Sequence, residues 1–242
     1  MDPKKRIIVA LDTDNRTEAL RWVRQLQGKV GLFKVGTQLF TAEGPQLVRD
    51  IVEMGEQVFL DLKFHDIPNT VTKSALAAQH LGVSMITVHT TGGLKMMSSV
   101  MELFGLDESA GTRPVVLGVT VLTSLSSEEL RDIGWPLPIQ DEVIRLAKLA
   151  QRAGLDGVVA SPEEIRSLRS RCGESFKIIT PGIRPADSEK DDQNRIATPG
   201  LALKAGADYL VIGRPITASS NPAESVERIL ASINAELKTG QA

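Results

Sequence analysis

One cysteine, Cys172, stands among 242 residues, which excludes an intramolecular disulfide and fits a reducing compartment. That thiol reads as inert and partly buried. There are three histidines, His65, His80 and His89. No His-x-x-x-His pair or cysteine cluster supplies transition-metal spacing, so no metal site is expected. Positive charge is nowhere concentrated: the longest basic block is Lys4-Lys5-Arg6 and the formal net charge is −2, which argues against a nucleic-acid partner. No apolar run approaches the length that spans a bilayer. Met1-Asp2-Pro3-Lys4-Lys5-Arg6 passes directly into Ile7-Ile8-Val9-Ala10-Leu11 without a long apolar segment, so the expectation is a soluble cytoplasmic protein with no membrane partner. Two nucleotide-binding signatures are also missing. No Gly-x-Gly-x-x-Gly follows the first apolar run, and no Walker-type phosphate loop occurs.

What the chain does have is alternation. Eight short strand candidates begin at Ile7-Ile8-Val9-Ala10-Leu11, Gly31-Leu32-Phe33-Lys34-Val35, Val58-Phe59-Leu60-Asp61-Leu62 and Met85-Ile86-Thr87-Val88-His89. The second half adds Val115-Val116-Leu117-Gly118-Val119, Gly157-Val158-Val159-Ala160, Lys177-Ile178-Ile179-Thr180 and Tyr209-Leu210-Val211-Ile212-Gly213. Amphipathic helical patterns lie between them, among them Thr17 to Leu26, Pro45 to Met54, Thr70 to Leu81, Asp141 to Ala153, Pro162 to Arg171 and Ala223 to Leu237. Strand-then-helix repeats specify a parallel sheet, and at this length a closed (β/α)8 TIM barrel is the economical solution; an open doubly wound sheet is the alternative. A single domain over 1–242 is expected, because the chain suffices for one large core but not for two comfortable enzyme domains. In such a barrel the active site lies at the C-terminal strand ends, where Asp12, Lys34, Asp61, Lys63, His89, Thr123, Arg184 and Arg214 collect.

The third strand carries the densest chemistry. Asp61-Leu62-Lys63-Phe64-His65-Asp66 places three formal charges in six residues directly after Val58-Phe59-Leu60. Strand alternation puts Phe59, Asp61 and Lys63 on one face and Val58, Leu60, Leu62 and Phe64 on the other. Burying charge costs several kcal/mol per ion, at order of magnitude, unless the ions are paired. A structural ion pair at a strand end is the plain reading; a catalytic pair is the sharper one. Asp61 and Asp66 beside Lys63, with Lys34 on the second strand, would hold Lys63 charged and orient it as a proton donor, the opposite of what a Schiff-base lysine needs. His65 and His89 read as groups that pack or orient neighbours.

Two loops complete the mouth. The stretch from Pro181-Gly182-Ile183-Arg184 through Asp192-Gln193-Asn194 to Thr198 is the longest polar connection and reads as a lid. After the eighth strand, Gly213-Arg214-Pro215 offers close backbone approach and a guanidinium fork for a phosphate.

The run Asp61-Leu62-Lys63-Phe64-His65-Asp66-Ile67-Pro68-Asn69-Thr70-Val71 resembles the signature of the orotidine 5'-phosphate decarboxylase family. Further matches occur in order at Ala10-Leu11-Asp12, Phe33-Lys34-Val35-Gly36, Val121-Leu122-Thr123-Ser124, Thr180-Pro181-Gly182-Ile183-Arg184 and Ile212-Gly213-Arg214-Pro215-Ile216. The resemblance implies a homodimeric barrel that converts orotidine 5'-monophosphate (OMP) to UMP and carbon dioxide without metal or organic cofactor. It implies that Lys63 protonates C6 of the pyrimidine, that Asp61 and Asp66 flank the leaving carboxylate, and that Asp66, Ile67 and Thr70 reach into the neighbouring subunit's site. Asp12 and Lys34 are implied to bind the ribose, Thr123 and Ser124 the base, and Arg184, Gln193, Gly213 and Arg214 the phosphate. Two rivals stand beside it. A magnesium-dependent sugar-phosphate decarboxylase or aldolase of the same barrel group shares Asp-x-Lys-x-x-Asp but lacks the Ile-Pro-Asn-Thr continuation. A non-catalytic phosphate-ligand sensor would keep Gly213 and Arg214 without needing Lys63 or Asp66.

Overall fold

The structure, a computed structural model, describes residues 2–106, 113–185 and 197–238. Eight parallel strands close on themselves in sequence order: β1 (Ile7–Ala10), β2 (Leu32–Gly36), β3 (Val58–Phe64), β4 (Met85–His89), β5 (Val115–Val119), β6 (Gly157–Val159), β7 (Lys177–Thr180) and β8 (Tyr209–Ile212). β8 pairs with β1 through Ile8 and Val211, so the sheet has no edge, and the closed barrel expected from the sequence is realised rather than the open sheet.

Alternation on each strand divides the apolar residues between two compartments. Ile8, Ala10, Leu32, Phe59, Met85, Leu117, Ile179 and Val211 fill the tube. Their neighbours Ile7, Val9, Phe33, Val58, Leu60 and Ile86 face outward into the larger layer beneath the helices. The helices present matching stripes. In α1 (Arg16–Leu26), Asn15 accepts the Glu18 N–H as N-cap, and Ala19, Trp22, Val23 and Leu26 are buried at helical spacing. In α6 (Ile139–Arg152), Val143, Leu146, Ala147 and Ala150 are the buried face.

Two expectations shift. The helix after β2 starts earlier than Pro45: α2 runs Thr37–Glu53 and is broken at Gly44, whose φ of 69° sets the kink just before that proline. The pattern from Pro162 begins as a 3-10 turn over Pro162–Glu164, and the α-helix proper is α7 (Ile165–Cys172). α3 (Pro68–His80) and α10 (Pro222–Lys238) match their expected spans to within two residues. The other α-helices among the described residues are α4 (Gly93–Leu106), α5 (Ser127–Asp132), α8 (Pro199–Ala205) and α9 (Arg214–Thr217). Among the described residues no helix is long and apolar enough to cross a membrane.

The N-terminal end of the barrel uses one device twice. A turn glycine follows a helix, then an apolar residue, then an aspartate that opens the next strand: Gly154-Leu155-Asp156 before β6 and Gly206-Ala207-Asp208 before β8. Asp156 accepts from both terminal nitrogens of Arg113, at 2.7 and 2.8 Å, and from the Val116 N–H at 2.8 Å. Asp208 accepts from Arg169 at 2.7 Å and from the Ile178 N–H at 2.8 Å. Each carboxylate thus satisfies a strand N–H and neutralises a cation at the end away from the mouth.

Candidate active site

At the C-terminal end, a cavity of about 240 Å³ opens between the strand termini. Asp12 after β1, Lys34 on β2, Asp61 and Lys63 on β3, Thr123 after β5, Arg184 after β7, and Gly213 and Arg214 after β8 all line it, so residues spread across the chain meet at one mouth. Phe59, Val119 and Val159 supply apolar wall, which lowers the local dielectric around the charges.

Charge alternates along one side of the cavity. Lys34 Nζ lies 3.2 Å from Asp12 and 3.9 Å from Asp61, and Lys63 Nζ donates to Asp61 Oδ2 at 2.9 Å. Asp61 and Lys34 keep 12% and 13% of their side-chain exposure, whereas Lys63 keeps 35% and so stays accessible to a molecule in the cavity. An ammonium on each side of Asp61 offsets much of the cost of burying it. Gly213 belongs to the same arrangement: a Cβ there would sit 3.2 Å from Asp12 Oδ2, so the bare backbone leaves that carboxylate its room.

The strict alternation expected through β3 does not survive to Lys63. Between the pairs Leu60–Ile86 and Phe64–Val88, β3 advances four residues while β4 advances two. This bulge puts Lys63 at φ 53°, the only positive φ outside glycine among the described residues. Its backbone N–H donates instead to Thr87 Oγ1 at 2.8 Å, and the Thr87 hydroxyl donates to Asp61 Oδ1 at 3.0 Å. Sequence reasoning passed over Thr87. The signal was there: Met85, Thr87 and His89 are the inward positions of β4, and a hydroxyl inside a barrel beside a carboxylate requires a partner.

The remaining expected site residues divide. Asp66 does not flank Lys63 within its own chain: its Oδ1 accepts from the Ile67 N–H, and among the described residues it forms no ion pair. Asp66, Ile67 and Thr70 are all exposed and none lines the cavity, because β3 ends at Phe64 and the chain has left the sheet before α3 starts at Pro68. Ser124 is exposed beside Thr123 and is not part of the cavity wall. Gln193, and with it most of the expected lid, lies outside the described residues. His65 and His89 stack with ring centroids 5.2 Å apart. Burial pulls the His89 imidazole below its ordinary range, repulsion from His65 and Lys63 adds to this, and Asp61 opposes it. No group of three or more His, Cys, Asp or Glu among the described residues is placed to hold a metal ion.

Fold and site together are those of an enzyme built on a closed (β/α)8 barrel that carries a chain of alternating aspartates and lysines at its C-terminal mouth. The chain belongs to the orotidine 5'-phosphate decarboxylase / HUMPS family, whose model matches residues 5–229. It is 52% identical to the orotidine 5'-phosphate decarboxylase of Syntrophotalea carbinolica over 244 aligned positions, covering 99% of both chains. It is 51% identical to that of Geobacter sp. strain M21, covering 93% of this chain and 95% of the relative. The crystal structure of orotidine 5'-phosphate decarboxylase from Lactobacillus acidophilus superposes with a TM-score of 0.84 at 39% identity, covering 94% of this chain and 98% of that one.

Proposed function

We propose that this protein is an orotidine 5'-phosphate decarboxylase, a cofactor-free carboxy-lyase that converts OMP to UMP and carbon dioxide in de novo pyrimidine biosynthesis. The observation that carries the reading is the Asp12–Lys34–Asp61–Lys63 charge chain at the mouth of the barrel. Full-length relatives bearing that name support the choice of substrate.

Breaking the bond between C6 and the carboxylate leaves its electron pair on C6, with no adjacent carbonyl positioned to accept it. Fixed positive charge at that carbon is therefore the most direct stabilisation, and Lys63 Nζ supplies it and then its proton. Asp61, close to the departing carboxylate, holds the lysine on target and repels the substrate's own charge. In this reading Asp12 and Lys34 take the ribose hydroxyls, and Thr123 and Ser124 address the base. Arg184, Arg214 and the Gly213 backbone, with Gln193, take the phosphate. Binding energy from that remote phosphate then serves the reaction at C6.

The same reading makes the protein a cytoplasmic homodimer in which 1–242 form one barrel domain. Asp66, Ile67 and Thr70 complete the neighbouring site. Support comes from the surface: Ile67, between Asp66 and the start of α3, is 66% exposed and leaves an apolar side chain open to a partner.

The test is loss of OMP ultraviolet absorbance with purified protein in excess EDTA. Wild type should turn over, and Lys63→Ala should fall by about a thousandfold or more. A well-folded wild type without turnover would overturn the proposal. Mixing Lys63→Ala with Asp66→Ala should restore activity through heterodimers that contain one intact site; no recovery despite subunit exchange refutes the shared site.

A further inference from the structure

The β3 bulge leaves two problems at the reactive lysine. Two extra residues against β4 take the Lys63 N–H out of the ladder, where a buried amide without an acceptor is costly. The left-handed backbone that points Lys63 toward Asp61 is also one that an L-residue with a long side chain adopts only when its surroundings impose it. A single group meets both. Thr87 Oγ1 accepts from the Lys63 N–H at 2.8 Å and donates its proton to Asp61 Oδ1 at 3.0 Å. Thr87 is fully buried and does not line the cavity, so it has no access to a molecule bound there.

We infer that Thr87 is a positioning residue for the lysine–aspartate pair: its hydroxyl fixes the left-handed turn at Lys63 and the rotation of the Asp61 carboxylate together. The geometry is specific to a hydroxyl. Each Asp61 oxygen has its own partner, Oδ1 with Thr87 and Oδ2 with Lys63 Nζ, so the carboxylate plane is set by two bonds pulling in different directions. Removing the Thr87 bond frees the carboxylate to rotate and deprives the bulge of its only hydroxyl acceptor at Lys63. The ammonium then samples positions away from the reacting carbon. Substrate affinity, which rests on phosphate and ribose groups elsewhere in the mouth, is largely unaffected. The consequence for turnover rests on the decarboxylase reading; the consequence for the backbone does not.

Thr87→Val keeps the shape and deletes the hydroxyl, while Thr87→Ser keeps the hydroxyl. The expected result is a kcat about 10- to 100-fold lower in Thr87→Val, the scale of a lost buried hydrogen bond to a charged group, with KM within about twofold of wild type. Thr87→Ser should recover most of kcat. A Thr87→Val enzyme with wild-type kcat, a loss that falls on KM instead, or a Thr87→Ser enzyme as poor as the valine variant would each overturn the inference. Crystal structures of the two variants supply a readout that does not depend on OMP turnover. Lys63 should leave the left-handed region in Thr87→Val and keep it in Thr87→Ser; an unchanged Lys63 backbone in the valine variant refutes the role. If wild type itself fails to decarboxylate OMP, the functional reading falls while this structural comparison still decides the place of Thr87.

Discussion

Replacing Asp208 with alanine strikes the barrel at the end farthest from its chemistry, and the structure sets the size of the effect. Asp208 is the near carboxylate of Arg169, at 2.7 Å; the Glu174 carboxylate lies 3.9 Å away on a side chain that is 90% exposed. Arg169 itself is only 11% exposed. Without Asp208 it retains the carbonyls of Gly173, Glu174, Phe176 and Gly206 as acceptors but no close counter-charge. Breaking a buried pair costs about 3–5 kcal/mol; the retained carbonyls place this case near 3 kcal/mol, at order of magnitude. The Ile178 N–H loses its acceptor too and adds about 1 kcal/mol. For a chain of this length each kcal/mol lowers Tm by about 2–4 °C, so Asp208→Ala should melt about 8–16 °C below wild type. Asp156→Ala is the internal control. It likewise joins an arginine to a strand N–H, but Arg113 is 38% exposed and regains water when its partner goes, so the loss should be only about 1–2 kcal/mol, or about 2–8 °C. The assay is thermal unfolding at one fixed protomer concentration, with steady-state turnover at low temperature measured alongside. kcat should be unchanged in both variants. If Asp156→Ala melts as low as Asp208→Ala, cation burial does not set the cost and the reasoning fails.

Two further outcomes follow from groups whose protonation the fold perturbs. The folded His89 imidazole titrates below its ordinary value of 6.5, so as pH falls the unfolded chain binds its proton first. Its contribution to stability is complete above about pH 6.5 and is lost as pH drops through the folded value; Tm should therefore fall more steeply on acidification in wild type than in His89→Gln, and parallel slopes would refute the assignment. Burial raises the Cys172 thiol above its ordinary range, against the opposing charges of Lys148 and Arg169. A disulfide reagent near neutral pH should modify it only as fast as the protein opens, whereas rapid stoichiometric reaction of the folded protein would count against a buried thiol.

All eight strands were legible because each is a short apolar run whose two faces are both buried, a pattern that local composition records directly. The charge chain was legible for a similar reason: Asp61, Lys34 and Lys63 are ions in runs that otherwise bury, and strand-end positions in a barrel have only one place to meet. What stayed hidden depends on departures from regularity. The bulge at Lys63 leaves no mark in a sequence read at period two, so Thr87, which repairs the ladder there, looked like one more β-branched strand residue. The pattern from Pro45 reads as a helix start rather than the far side of a kink, because the chain before it, Thr37 to Glu43, has only Leu39 fully buried and so shows little periodicity. Alternation also cannot say that the chain leaves the sheet at Phe64, before it reaches Asp66.

The filling of the tube has one more consequence. Phe59, Met85, Leu117 and Ile179 meet across the axis, with Val115 and Tyr209 packed beneath them toward the N-terminal end. Among the described residues these side chains fill the tube, so on the proposed reading the mouth is a cul-de-sac that serves substrate and products alike. For the proposed reaction, carbon dioxide and the nucleotide must depart by the route the substrate took in. Traffic through that opening, rather than a rear channel, then governs how soon the next molecule enters.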